Sequence, residues 1–172
     1  MVREWFTKSV LVFGCGNILW GDDGFGPAVA NYLEEHYTLP PDVVVRDVGT
    51  SIRDILFDLV LSEQKPKKII IVDAVDYPDR KPGEIFEIPV EGIPEKKAGD
   101  FSLHQFPTVN MLQELKDHSQ MEVKVLVAQI QEIPQEVRPG LTPALEKAVV
   151  AASQRIMAEI GGPSVASRKY LS

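Results

Sequence analysis

Val10-Leu11-Val12-Phe13-Gly14-Cys15-Gly16 is the stretch that decides how this chain folds. Four consecutive apolar residues leave no polar face, so the run Val10–Phe13 is a strand covered on both sides, and Gly14 closes it with a turn. Downstream, Pro27 fits the first turn of a helix that runs to about His36, and Pro40-Pro41 stops anything helical before the next strand, Val43-Val44-Val45. Ile52, Ile55, Leu56, Leu59 and Val60 then recur at helical spacing and make one apolar face that needs a sheet to cover it. Ile69-Ile70-Ile71-Val72 is again apolar on both faces, a central strand with Asp73 at its carboxyl end.

Farther along, Glu84-Ile85-Phe86-Glu87-Ile88 alternates polar with apolar after Pro82-Gly83, which predicts an edge or hairpin strand. Pro89 to Asp100 reads as loop, Pro107 to Asp117 as helix, Val123 to Ala128 as strand. A last helix follows Thr142-Pro143, with Thr142 placed to cap it and Leu145, Val149, Ala152, Ile156 and Ile160 on its buried side. Gly161-Gly162-Pro163 ends it, and 164–172 reads as a frayed tail. The expected architecture is α/β: a single-domain three-layer sandwich over residues 1–172, with a mostly parallel twisted sheet, helices on both faces and one antiparallel edge strand or hairpin. Ligands of such sheets sit outside the carboxyl ends of the strands.

Composition narrows the function. The 172 residues are 44% hydrophobic and 25% charged, which is the balance of a globular domain, and no apolar run approaches the roughly 18–20 residues of a membrane helix. Eighteen Lys and Arg against 25 Asp and Glu give a net charge of −7, which repels a phosphate backbone and argues against nucleic acid as a partner. A lone cysteine, Cys15, makes no internal disulfide or zinc–thiolate cluster and points to a reducing cytoplasm. Met1-Val2-Arg3-Glu4-Trp5 is polar within a few residues and does not read as a targeting signal.

Gly14-Cys15-Gly16 supplies two glycines of a dinucleotide-binding G-x-G-x-x-G loop, but Leu19 stands where the third belongs. The loop then runs into Asp22-Asp23, and a carboxylate about 4 Å from a phosphate charge costs on the order of 4 kcal/mol at an effective dielectric of about 20. The pair between Gly21 and Gly24 suits a cation or acid–base role instead. Capping of the helix near Pro27, or loop structure, is the plainer assignment for Asp22, whereas Asp23 has two candidate companions. Asp73 is one; the alternative for it is a solvated strand end. His104, in Phe101-Ser102-Leu103-His104-Gln105, is the other; the alternative is a structural loop histidine. Two carboxylates and an imidazole on one rim suit a divalent transition metal with open positions.

Gly49-Thr50 either presents backbone N–H groups to a substrate or simply turns the chain. Cys15 reads as a small residue packed under the loop, and His36 and His118 as polar helix ends. Neither a G-x-S-x-G elbow nor an H-E-x-x-H helix is present.

Taken in order, Gly14-Cys15-Gly16-Asn17-Ile18-Leu19 through Asp22-Asp23-Gly24-Phe25-Gly26, then Gly49-Thr50, Val72-Asp73-Ala74 and Ser102-Leu103-His104-Gln105 resemble the motifs of the nickel–iron hydrogenase maturation endopeptidases. Asp47-Val48-Gly49-Thr50-Ser51-Ile52, Lys81-Pro82-Gly83-Glu84-Ile85-Phe86 and His104-Gln105-Phe106-Pro107-Thr108 look most like the members serving the coenzyme F420-reducing hydrogenase of methanogens. The resemblance implies removal of a short C-terminal extension from a hydrogenase large-subunit precursor once nickel is inserted. It places nickel contacts, and with them the catalytic roles, on Asp23, Asp73 and His104, with Asn17, Gly49 and Thr50 as candidate substrate-binding positions. The resemblance implies that the nickel contacted by the site is the precursor's own. A non-catalytic nickel-binding assembly factor for the same precursor is the alternative from another class, and a nucleotide-binding oxidoreductase the third.

Overall fold

The computed structural model describes residues 4–92 and 106–161. A short 3-10 turn over Glu4–Thr7 precedes β1 (Val10–Cys15), and a second, Gly21–Gly24, leads into α1 (Phe25–His36). Then come β2 (Val43–Gly49), α2 (Ile52–Leu61), β3 (Lys68–Val75), β4 (Ile85–Ile88), α3 (Phe106–His118), β5 (Glu122–Gln129) and α4 (Pro143–Gly161). They form one sheet of order β2-β1-β3-β5-β4. Every neighbouring pair is parallel except β4 and β5, so the segment after Pro82-Gly83 is the antiparallel edge strand expected there. Two strands outrun their apolar runs: β2 continues through Arg46 and Asp47 because both stay paired with β1, and β5 begins at Glu122 opposite Lys68.

Side chains alternate across the sheet, and each face has its own core. On one, Leu11, Phe13, Ile69, Ile71 and Val75 pack with Ile52, Ile55, Leu56 and Leu59 of α2 and with Leu112 and Leu115 of α3. On the other, Val12, Ile70, Val72 and Ala74 meet Val29, Ala30 and Leu33 of α1 and Leu145, Val149, Ala152 and Ile156 of α4. Each buried Val, Leu, Ile or Phe among them stabilises by roughly 1.5–3 kcal/mol, and the helical spacing of α2 is what aligns its four anchors. Among the described residues no helix is long and apolar enough to cross a membrane.

The crossovers fix where a ligand can sit. From β1 the chain passes through α1 on one face to β2, then through α2 on the opposite face to β3, on the other side of β1. Right-handed connections require that change of face when the direction of travel reverses. The carboxyl ends of β1 and β3 therefore flank the switch point, the usual crevice of an open α/β sheet.

Gly26 sets how closely α1 approaches that point. A Cβ there would lie 2.2 Å from the Cys15 carbonyl oxygen, 2.4 Å from that of Val72 and 2.5 Å from the Cys15 nitrogen. A Cβ on Gly14 would in turn lie 2.1 Å from the Gly26 carbonyl oxygen. The close helix–sheet contact that a third glycine would give at position 19 is delivered instead by a glycine inside the helix.

Candidate active site

Beyond β1 the chain enters a loop whose polar groups are mostly spoken for. Gly16, at φ 142°, donates its N–H to the Gly49 carbonyl (2.9 Å), which binds the β1 loop to the end of β2. A Cβ on Gly16 would strike the Asp23 carbonyl oxygen at 1.9 Å, so only glycine lets the loop lie against the acidic turn. Asn17 donates its N–H to Asp23 Oδ2 (2.9 Å), and its side-chain Oδ1 accepts the Leu19 N–H (3.0 Å). An N–H that a phosphate would need in a dinucleotide site is thus already held by a carboxylate.

Asp23 is 8% exposed, and its Oδ1 is buried with no hydrogen-bond partner among the described residues. Burial raises its pKa and outweighs the lowering effect of the Asn17 N–H. Asp22 differs sharply from it. It is fully buried and accepts the N–H groups of Gln131 (2.9 Å), Glu132 (3.3 Å) and Thr142 (2.8 Å) as well as the Thr142 hydroxyl. Neither acid caps α1, whose N-cap is Gly24 without a side-chain bond. Thr142, expected to cap α4, sends its hydroxyl to Asp22, while its carbonyl accepts the Leu145 and Glu146 N–H groups.

Asp73 lies in the row of β3 that also carries Ile69, Ile71 and Val75, and it is fully buried, so it is not a solvated strand end. Its Oδ1 accepts the Ala74 N–H at 2.8 Å. The turn bearing Asp23 packs against β3, and both carboxylates act on one neighbour. The Cys15 thiol is pushed well above its ordinary value, first by burial, then by the charges of Asp73, Asp47 and Asp23. A thiol held protonated in that way is no nucleophile. Cys15 is fully buried, as its reading as a packed small residue anticipates.

Asn17, Gly49 and Thr50 come together, with Gly16, Ile18 and Asp47, around a cleft of about 240 Å³ beside the crevice. The Gly49 N–H is taken by Asp47 Oδ1 (2.9 Å) and is not offered outward; Gly49 turns the chain at φ 53°. Thr50 is exposed at the cleft. His104 lies outside the described residues, and among those described no three metal-ligating side chains gather. His36 stacks on Tyr32 at 3.9 Å and bonds its carbonyl, and His118 lies 3.6 Å from Glu114, so both remain helix-end residues. The acids read from the sequence are therefore a pair at the switch point, one stapled and one with a spare oxygen, with Asp73 beside them.

Known proteins resemble this chain in sequence and in fold. The sequence model of the HycI hydrogenase maturation protease family matches residues 27–159. A protein of Methanocaldococcus jannaschii that bears a provisional hydrogenase maturation protease name is 40% identical over 89% of this chain and 97% of its own length. The coenzyme F420 hydrogenase subunit delta of Methanothermobacter thermautotrophicus is 38% identical over 91% of this chain and 97% of its own. Among solved structures, the hydrogenase-maturating endopeptidase HybD of Escherichia coli superposes with a TM-score of 0.66 at 27% identity, covering 87% of this chain and 90% of that one. The chain belongs to the hydrogenase maturation protease family, and its activity is that of a maturation endopeptidase.

Proposed function

We propose that this endopeptidase removes a C-terminal extension from the large-subunit precursor of a nickel–iron hydrogenase and recognises that precursor by the nickel it already holds. The observation that carries the reading is Asp23 Oδ1, a buried acceptor without a donor among the described residues. Leaving such an atom unpaired costs about 1–3 kcal/mol, and a bound cation offsets that cost. Asp23, Asp73 and His104 offer two carboxylates and an imidazole, a donor set suited to completing the coordination of a divalent transition metal. The nickel arrives as part of the substrate.

Docking of the metal at the strand ends sets the precursor chain along the cleft of Asn17, Gly49 and Thr50. Water then attacks the scissile carbonyl while a carboxylate takes its proton, and the departing amine receives a proton in turn. That base is a carboxylate of the site not taken up by the metal. A precursor without nickel offers no ligand, so processing doubles as a check on metal insertion. The likeness to an F420 hydrogenase subunit supports a coenzyme F420-reducing hydrogenase as the source of the precursor, and a single buried thiol fits work in a reducing cytoplasm.

The alternative that the experiment must exclude is a chain that holds the precursor without cutting it. Limiting protein with excess nickel-loaded precursor separates the two: many products per chain identify the enzyme, and saturation at one precursor per chain identifies the holder. Asp23→Asn and His104→Ala abolish processing under these conditions; normal rates in either variant contradict the assignment of those residues.

A further inference from the structure

Asp22 and Asp23 are neighbours in sequence with opposite surroundings: every carboxyl oxygen of Asp22 is bonded, while one of Asp23 is not. The partners of Asp22 all come from residues 131–142, the connection between β5 and α4. Gln131 and Glu132 follow the end of β5, and Thr142 immediately precedes α4. The same two segments meet again beside the turn. Arg138 donates its N–H to the Leu19 carbonyl and accepts the Gly21 N–H, both at 2.9 Å, in a parallel bridge with Trp20.

On its other flank the turn is held by Asn17, whose N–H reaches Asp23 Oδ2. The Gly21–Gly24 turn is therefore anchored from both sides, and Asp22 is the side chain that ties it to the β5–α4 connection. We propose that Asp22 is a positioning residue for the cleavage reaction: bound to the 131–142 segment, it holds the turn so that Asp23 meets the precursor's nickel in register with Asp73. This rests on the reading that Asp23 contacts that nickel.

Asparagine at position 22 keeps the size but replaces one acceptor oxygen by an NH₂ donor. That donor then faces either the Thr142 N–H or those of Gln131 and Glu132, and the turn must shift. Thr142→Val removes only the hydroxyl and keeps the backbone N–H, whereas Thr142→Ser keeps both. The decisive readout is the ratio of affinities for nickel-loaded and nickel-free precursor, measured by calorimetry on full-length variants and paired with KM and kcat for cleavage.

The expected result is a cooperatively folded Asp22→Asn whose ratio falls tenfold or more and whose KM for the loaded precursor rises, with Thr142→Val between it and wild type and Thr142→Ser close to wild type. A folded Asp22→Asn with the wild-type ratio and KM, losing only kcat in proportion to its active fraction, overturns the proposal. Should Asp22→Asn not fold, the ratio for Thr142→Val decides by the same criterion. A wild-type protein that binds both precursors equally removes the nickel reading of Asp23 itself, a failure distinct from that of Asp22.

Discussion

Gly26→Ala sets two opposing effects against each other, and the structure decides which wins. Alanine in place of a glycine inside a helix gains about 1 kcal/mol of helix propensity. Its Cβ, however, would sit 2.2 to 2.5 Å from three backbone atoms of β1 and β3. None of those atoms is the end of a flexible side chain, so relief requires α1 to move away from the sheet by roughly 1 Å along its packed face. Overpacking a core costs about 1–3 kcal/mol, and more where nothing can yield. Taking about 3 kcal/mol against a gain of about 1 leaves a net loss of about 2 kcal/mol or more. At about 2–4 °C per kcal/mol for a chain of this size, the variant melts about 4–8 °C below wild type. Thermal melts followed by circular dichroism measure this, with Asn31→Ala on the exposed side of the same helix as control, expected within about 0.5 kcal/mol of wild type. Because Gly26 lies two residues beyond the end of the Gly21–Gly24 turn, cleavage falls with it. A Gly26→Ala protein that melts at or above the wild-type temperature would refute the close-packing role.

Asp23→Asn keeps an acceptor for the Asn17 N–H while removing a carboxylate whose pKa is raised by burial. Stability tied to that raised pKa is full below the unfolded value of about 3.9 and is lost as pH climbs through the folded one. The variant should therefore melt at or above wild type at pH 7, with the gap closing toward pH 4, while cleavage disappears; a gap that widens toward pH 4 would contradict the burial argument. Cys15→Ala should cost about 1 kcal/mol of buried contact and leave cleavage intact. In native protein at pH 8 the thiol should resist alkylation that goes to completion after unfolding, and the variant should lose the alkaline destabilisation that its raised pKa produces above about pH 8.5. Burial raises the Glu159 carboxyl, but hydrogen bonds from Lys124 and Lys68 outweigh it and the net shift is downward. That stability is present above about pH 4.3 and lost as pH falls. Glu159→Gln, measured by urea unfolding, should cost about 1 kcal/mol at pH 7 and little at pH 3.

Features that depend on near neighbours were legible in the sequence. Continuous aliphatic runs announce β1 and β3 because a strand covered on both faces has no polar side, and a run interrupted by Glu87 after Pro82-Gly83 announces an edge, where Glu87 lies half open beside Arg155 and Lys124. The nearness of Asp23 to Asp73 follows from strand ends that open on one rim. Contacts made across long separations left no periodic trace. Nothing local to Asp22 reveals partners 109 to 120 residues away, and Thr142 looked like a cap because its place before Pro143 is a capping place. The G-x-G-x-x-G pattern points to position 19, whereas the signal for Gly26 is of another kind: a glycine inside a helix, where alanine is preferred unless something lies too close. Gly49 offered two readings, and only the bond from its N–H to Asp47 chose between them.

The central claim is nickel-dependent proteolysis by this chain. Its most direct test incubates substoichiometric protein with hydrogenase large-subunit precursor, with and without inserted nickel, and follows the precursor by intact-mass spectrometry. Loss of a discrete C-terminal peptide from the nickel-loaded precursor alone, at many turnovers per chain, is the predicted result. Equal cleavage of both precursors, or an unchanged mass in a stable nickel-dependent complex, contradicts it.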